Sequence, residues 1–219
     1  MLELDTVGEN KWIISSKDGS KKIIPSELAE HIKKDLHYYF VKSTANDKPF
    51  LYVYWEGVYK NMSENEFKAI IKKYIPYNLI KMKDINEVYQ NLQADFKNID
   101  SELFNNDENI INFKDGLLYL DTMELKKHSP DILSTIQIPT NYKDVENSTD
   151  TCPIFNKYIM RLIDNDLEKY DVLMQYLGLC ISNIFGYRIK KALFLEGDGN
   201  TGKSQIKKLA EKIIRYREY

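Results

Sequence analysis

One short segment carries the clearest chemical signature of this sequence: Gly197-Asp198-Gly199-Asn200-Thr201-Gly202-Lys203-Ser204. A glycine, four further residues and then Gly-Lys-Ser form the spacing of the phosphate-binding P-loop. The apolar run Ala192–Glu196 before the loop predicts a strand. The pattern after it predicts a helix with Ile206, Leu209, Ala210 and Ile213 on one side.

Each residue type of this loop suits the binding of a phosphorylated ligand. Glycines let the backbone wrap an anion closely, and the helix that begins near Lys203 adds the positive end of its dipole. Lys203 is the predicted catalytic residue, as a contact to the β- and γ-phosphates, and Ser204 is the predicted ligand of Mg²⁺. We expect backbone roles alone for Asn200 and Thr201. The predicted cofactors are ATP and Mg²⁺.

The chain before the loop divides into two predicted segments. Residues 1–60 are expected to form a small α+β unit. Its elements are a strand over residues 11–16, a helix from Pro25 with Ser26 as N-cap, and a hairpin that turns at Glu56-Gly57. Aromatic residues of the hairpin would stack on bases or pack on a helix, and the second role is favoured. Residues 61–190 are expected to form a helical domain, and residues 191–219 the start of a P-loop domain. The predicted class is therefore α+β and predominantly helical.

Capping boxes and apolar spacing mark the helices of the middle segment. Boxes at Ser63–Glu66 and Asp84–Glu87 each predict a helix start, and Pro76 ends the first helix. A hairpin is predicted around Lys114-Asp115-Gly116, followed by a surface loop that extends to Asp150. Helices resume at Pro153 and again after Asp166, and the wide apolar band of the second one predicts deep burial.

Composition excludes several classes of protein. Of the 219 residues, 43% are hydrophobic and 12% aromatic, which is typical of a packed protein and not of a disordered or collagen-like one. No stretch approaches the ~20 apolar residues of a membrane span, and the beginning lacks a signal peptide. We therefore expect a cytoplasmic protein without a membrane partner, in which Cys152 and Cys180 are small buried residues.

The net charge of −2 conceals an uneven distribution. Residues 185–219 include nine basic and four acidic side chains, a local charge of +5. A solvated helix face explains this cluster, and a surface for phosphate or nucleic acid explains it as well. For Lys207, Lys208 and Lys212 the solvated face is sufficient.

Other polar residues have simple structural explanations. His31 and His37 have no second metal ligand at suitable spacing, and His128 is interpreted as a turn residue in preference to an acid or base. Asp164 and Asp166 are interpreted as a loop between helices, with Asp166 as N-cap, in preference to a cation site.

The order of several short motifs resembles that of the phage/plasmid primase family, whose helical region is similar to the poxvirus primase–helicase. These motifs are the run from Phe50 to Tyr59, Asn112–Asp121, His128-Ser129-Pro130, Cys152-Pro153, Tyr176-Leu177-Gly178 and the P-loop. The resemblance extends from about Phe50 to Ile214. The family more often has Asn directly before Gly-Lys-Ser, where this chain has Thr201.

The resemblance implies a superfamily III helicase ATPase that replicates a phage, plasmid or other mobile element, forms a homo-oligomeric ring and translocates on DNA. Only fifteen residues follow Ser204, so we expect a truncated ATPase domain that lacks the later hydrolysis motifs. Whether this chain is an enzyme stays open. The alternative is a non-enzymatic DNA-binding or oligomerisation module derived from such a helicase. A small P-loop kinase is disfavoured, because its P-loop would lie near the start of its catalytic domain.

Overall fold

The computed structural model describes residues 11–15, 19–41, 49–94, 99, 101–148, 152–184, 190–199 and 201–214. The described residues have a mixed α+β fold with seven α-helices and three small sheets, which confirms the mixed class. The chain divides into two compact units. The first comprises Met1–Trp55 and Tyr59–Ser101, and the second comprises Glu56–Val58 and Glu102–Tyr219. The three segments expected from the sequence stay a prediction, and their boundaries differ from those of the two units.

The first unit combines helices with two small antiparallel pairings. Its elements are β1 (Ile13–Ser15), β2 (Lys21–Ile23), α1 (Pro25–Asp35), β3 (Tyr38–Val41), β4 (Phe50–Trp55), α2 (Glu64–Lys73), a 3-10 turn (Tyr77–Leu79) and α3 (Met82–Ala94). Strand β5 (Val58–Met62) follows β4 across the predicted turn. β1 pairs with β2, and β4 lies between β3 and β5. The predicted hairpin is thus confirmed, and β3 is an addition to it.

Apolar side chains at helical and strand spacing build the core of the first unit. Helices α1 and α2 both pack against α3. The buried residues come from helices and strands alike, and include Leu28, Ile32, Phe40, Leu51, Val53, Phe67, Ile71, Ile85, Val88 and Leu92. Tyr38 of the three-stranded sheet packs on Phe67 of α2, with ring centroids 5.6 Å apart. In the described part of this sheet, aromatic side chains thus pack on a helix, which is the role favoured over base stacking in the sequence.

Of the three helix caps predicted in the first unit, one is confirmed and two are wrong. At α2, the backbone N–H of Ser63 donates to Glu66 Oε2 at 2.7 Å, and the N–H of Glu66 donates to Ser63 Oγ at 3.3 Å. Helix α1 begins one residue before Ser26, with Pro25 in the first position, where proline's fixed φ suits a helix. Helix α3 begins at Met82, so Asp84 lies within the first turn.

The second unit begins with a three-stranded antiparallel sheet and continues with helices. Its elements are β6 (Ile110–Phe113), β7 (Gly116–Tyr119), β8 (Glu124–Lys126), α4 (Tyr142–Glu146), α5 (Pro153–Leu162), α6 (Leu167–Ile181) and α7 (Lys203–Ile214). A 3-10 turn over Ser101–Leu103 lies where the units divide. The predicted hairpin of β6 and β7 is confirmed, with Phe113 opposite Gly116, whereas β8 is unpredicted.

The surface loop expected to extend to Asp150 contains a short helix, α4. Its first N–H groups, those of Tyr142 and Lys143, donate to the Asp115 carboxylate at 2.7 and 3.2 Å. Desolvation by burial acts to raise the pKa of Asp115, but the backbone hydrogen bonds from Tyr142, Lys143 and Asp115 itself, together with the charge of Lys143, outweigh it and the pKa is lowered. The N-cap residue Asn141 makes no side-chain cap hydrogen bond, so the Asp115 carboxylate, 27 positions before Tyr142, stabilises this helix start instead.

Three expectations for the second unit are wrong. Helix α6 is not deeply buried: Val172 is 53% exposed and Tyr176 is 37% exposed. Cys152 is exposed, whereas Cys180 is half-buried and burial raises the pKa of its thiol. Residues 190–198 form neither helix nor strand, so the predicted strand Ala192–Glu196 is not present. A strand needs hydrogen-bond partners for its backbone, and no described strand pairs with this segment. Among the described residues, no helix is both long and apolar enough to cross a membrane.

Candidate functional site

The predicted phosphate loop lies in the second unit, and all of it except Asn200 falls within the described residues. Helix α7 begins at Lys203, as the sequence predicts. Gly197, Asp198, Gly199 and Thr201 are exposed, and Ser204 is exposed in the first turn of α7. The loop therefore presents its backbone and the N-terminal end of a twelve-residue helix to solvent.

Lys203 places its ammonium group inside the loop. Its Nζ donates to the carbonyl oxygens of Gly197 at 2.8 Å and Asp198 at 2.6 Å, and to Thr201 Oγ1 at 3.0 Å. An ammonium has three N–H donors, and these contacts use all of them. Phosphate oxygens can take their place by a side-chain rotation, because Lys is a flexible cation on a four-carbon stem.

The Thr201 hydroxyl has a structural role that the sequence did not predict. It donates to the carbonyl of Asp198 at 3.0 Å while it accepts from Lys203. Only backbone contacts are predicted for Thr201, yet its side chain closes the loop on itself. Only a residue with a hydroxyl makes this pair of contacts, and the P-loop motif does not specify the residue type at position 201.

Gly202 meets a conformational and a steric demand. Its φ is +94°, a region that side chains other than glycine rarely adopt, and a Cβ at this position would lie 2.5 Å from Tyr158 Oη. The Tyr158 hydroxyl donates to the Gly202 carbonyl at 2.7 Å. In the sequence, Tyr158 shares the apolar helical spacing of Phe155, Ile159 and Leu162, so the polar end of its ring is the only signal for this bond.

A small apolar cluster holds helix α7 in place. Ile206 of α7 is buried together with Ile159 of α5 and Leu173 of α6. Leu193 and Tyr158 are partly buried against the same cluster. The predicted apolar side of α7 thus packs as expected at Ile206, while Leu209 and Ala210 are half-buried and the side chain of Ile213 lies outside the described set.

The metal prediction depends on Ser204 together with phosphate oxygens. Over the ranges that the structure describes, no three His, Cys, Asp or Glu side chains lie close enough to hold a metal ion. A serine hydroxyl is a suitable Mg²⁺ ligand when phosphates supply the other oxygens. The donor set of the loop therefore fits Mg²⁺ bound to a nucleotide better than a free cation.

A second polar cluster surrounds the turn between β4 and β5 and also belongs to the second unit. The side-chain amide of Asn112 donates to Gly57 O at 2.8 Å, and that of Gln137 donates to Glu56 O at 3.0 Å. His128 Nε2 lies 2.9 Å from Phe113 O and 3.1 Å from Asn112 Oδ1. Because both neighbours are oxygen acceptors, Nε2 carries the proton in this arrangement.

This second cluster gives three resemblance motifs a common structural role. Glu56-Gly57, Asn112 and His128 are far apart in the sequence, and the fold brings them together with Gln137. The interpretation of His128 as a simple turn residue misses its packing on Gly57, where a Cβ would lie 2.5 Å from the imidazole ring. Asn112 carried no signal of its own beyond being a polar residue in an apolar strand.

The other polar residues considered in the sequence make contacts that belong to packing, capping or the exposed surface. The His31 ring stacks on Trp12 at 4.3 Å between centroids, and His37 meets Tyr54 edge-on at 6.3 Å. Asp166 is the N-cap of α6, as predicted: its carboxylate accepts from the N–H groups of Glu168 and Lys169 at 3.0 and 3.1 Å. On α7, the Lys207 ammonium lies 3.5 Å from the Glu211 carboxylate, an exposed pair worth little.

Comparison with known proteins gives one family. The family model described as "D5 N terminal like" matches residues 7–164, which is more than two thirds of the chain. No curated protein matches the sequence. The matched region begins well before the first resemblance motif and ends at Asp164, ahead of the phosphate loop.

Proposed function

We propose, because this chain belongs to the family described as D5 N terminal like, that it acts in the DNA replication of a phage, plasmid or other mobile element. The chain carries a region related to the N-terminal part of D5-type phage and plasmid primase–helicases. To this region we assign a nucleotide-binding role at Gly197–Ser204, in the cytoplasm of the host cell. ATP and Mg²⁺ are the proposed ligands.

The observation that carries the nucleotide assignment is the placement of Lys203. Its ammonium sits among loop oxygens at the start of α7, 2.6 to 3.0 Å from three acceptors. The first N–H groups of a helix lack partners within the helix, and they favour an anion. A cation and a helix N-terminus that converge on one exposed loop suit a bound polyphosphate.

Each loop residue then has a defined role in the proposal. Lys203 contacts the β- and γ-phosphates, and the Ser204 hydroxyl binds Mg²⁺ between them. Backbone N–H groups of Gly199, Thr201 and Gly202 cradle the phosphates, and Gly202 supplies a conformation that other residues avoid. Thr201 keeps the loop closed through Asp198.

The test is direct binding of Mg²⁺-ATP to the purified chain, measured by calorimetry or with a fluorescent ATP analogue. Lys203→Ala removes the cation from the loop and is expected to weaken binding by about tenfold or more, because hydrogen bonds between charged groups are lost. Lys208→Ala is the matched control, because it removes one exposed charge from the same helix. Equal losses in the two variants, or no binding by the wild-type chain, would contradict the proposal. Hydrolysis that requires Mg²⁺ and Lys203 would add enzymatic activity to it.

DNA binding without nucleotide is the second candidate function. The observation that favours it is the exposed lysine surface of α7, at Lys207, Lys208 and Lys212. A surface that binds phosphodiesters releases counterions, so its affinity falls steeply as salt rises. Fluorescence anisotropy with single- and double-stranded DNA at several salt concentrations tests this role, and sedimentation of the same samples tests for a homo-oligomeric ring. A monomer without DNA affinity at low salt would reject both.

A further inference from the structure

The phosphate loop rests directly on a tyrosine of helix α5. The Tyr158 hydroxyl donates to the Gly202 carbonyl oxygen at 2.7 Å. This carbonyl oxygen also accepts a hydrogen bond from the N–H of Gln205 at 2.8 Å. A Cβ on Gly202 would lie 2.5 Å from Tyr158 Oη. The loop backbone therefore contacts the phenol at Gly202, where the absence of a side chain leaves room for the ring.

The direction of this carbonyl determines the direction of a neighbouring N–H. Gly202 C=O and Lys203 N–H belong to one planar trans peptide group, in which the two bonds point in opposite directions. A hydrogen bond that holds the Gly202 oxygen toward Tyr158 therefore aims the Lys203 N–H away from it. That N–H is the first of helix α7, where N–H groups have no partner within the helix.

Tyr158 is itself held by packing. The ring is partly buried beside the cluster of Ile159, Leu173 and Ile206, which joins α5, α6 and α7. Tyr158 lies within residues 7–164, the family region, whereas the loop lies beyond it. The hydroxyl thus projects from a packed helix of that region onto the loop.

We propose that Tyr158 is a positioning residue through which helix α5 orients the Gly202–Lys203 peptide group for phosphate binding. This inference rests on the proposed function, since it assumes a phosphorylated ligand at Gly197–Ser204. Without this bond, only the N–H of Gln205 holds the Gly202 carbonyl, so the peptide group samples other orientations more often. Affinity then falls with the fraction of loops in the binding orientation. The loss of one hydrogen bond of ordinary strength corresponds to a reduction of about two- to twelvefold.

Tyr158→Phe tests this inference because it removes the hydroxyl and keeps the ring in its packing. The expected results are a Kd for Mg²⁺-ATP that is about two- to twelvefold higher, and shifts of the Gly202 ¹³C′ and Lys203 ¹⁵N resonances without nucleotide. Tyr170→Phe is the matched control. Its hydroxyl donates to Asn156 Oδ1 at 3.0 Å and so joins α6 to α5.

The outcomes separate the inference from the proposed function. If the wild-type chain fails to bind Mg²⁺-ATP, or binds independently of Lys203, both are overturned. If binding depends on Lys203 while Tyr158→Phe matches Tyr170→Phe in Kd and in the two resonances, only the inference is overturned. If Tyr158 had a purely structural role, Tyr158→Phe would lower the stability of the protein, as Tyr170→Phe does, and would leave these loop resonances unchanged.

Discussion

The side-chain amide of Asn112 donates a hydrogen bond of 2.8 Å to the backbone carbonyl of Gly57, 55 positions earlier in the chain. Asn112 is 4% exposed, and its Oδ1 atom lies 3.1 Å from His128 Nε2. Both ends of a buried amide are therefore satisfied. In a low-dielectric interior, such a polar contact is costly to break, because a buried polar group that loses a partner is not compensated by water.

Replacement of Asn112 by Ala should lower the free energy of unfolding by about 1–3 kcal/mol, because it leaves the Gly57 carbonyl and the His128 ring without this partner. Urea denaturation followed by circular dichroism measures the change. Asn147→Ala is the control: Asn147 is exposed and donates to Lys143 O at the end of α4. That change should stay within about 0.5 kcal/mol. Equal losses would show that the Asn112 contact adds nothing specific.

Replacement of Gly57 by Ala should destabilise the protein more than the same change at Gly19. The two glycines have similar positive φ, +84° and +79°, so the conformational penalty is similar. A Cβ at position 57 would lie 2.5 Å from the His128 ring, whereas one at position 19 would meet nothing within 4 Å. The difference between the two unfolding free energies, about 1–3 kcal/mol, measures the clash. His128→Ala in the Gly57→Ala background should recover part of it.

The capping box of α2 predicts a specific pH dependence. Hydrogen bonds from the Ser63 side chain and then its backbone hold the pKa of the exposed Glu66 carboxyl below its ordinary value. The folded pKa is depressed, so this contribution to stability is present above the ordinary carboxyl pKa and is lost as pH falls through the folded pKa. NMR titration of the Glu66 carboxyl should give a low pKa that Ser63→Ala returns toward normal. A wild-type pKa equal to that of the variant would refute the cap in solution.

Ile206→Ala should loosen helix α7. Ile206 is 4% exposed against Ile159 and Leu173, and its truncation leaves a cavity in a small cluster. The expected loss is roughly 2–5 kcal/mol, seen as faster amide hydrogen exchange along α7. Gln205→Ala changes an exposed neighbour and should leave exchange nearly unaltered. Similar exchange in both variants would place Ile206 outside the packing that holds the helix.

The local sequence determined the elements that depend on neighbouring residues. Ser63 and Glu66 form a cap because both partners lie within one helical turn, and Pro25 and Pro153 open helices through their own ring geometry. The start of α7 at Lys203 likewise follows from the motif and the apolar spacing after it. In each case the interacting groups are a few residues apart, so the sequence displays the whole interaction.

Tertiary structure alone decided the contacts between distant residues. Asp115 caps α4 from another element, Tyr158 reaches Gly202, and Asn112 joins His128 at Gly57. It also decided exposure: the apolar band of α6 predicts burial, yet Val172 remains 53% exposed. A hydroxyl or amide can satisfy its hydrogen bonds with water as readily as with a distant backbone. Its role is therefore assigned only when folding brings that backbone to within 3 Å and excludes the water.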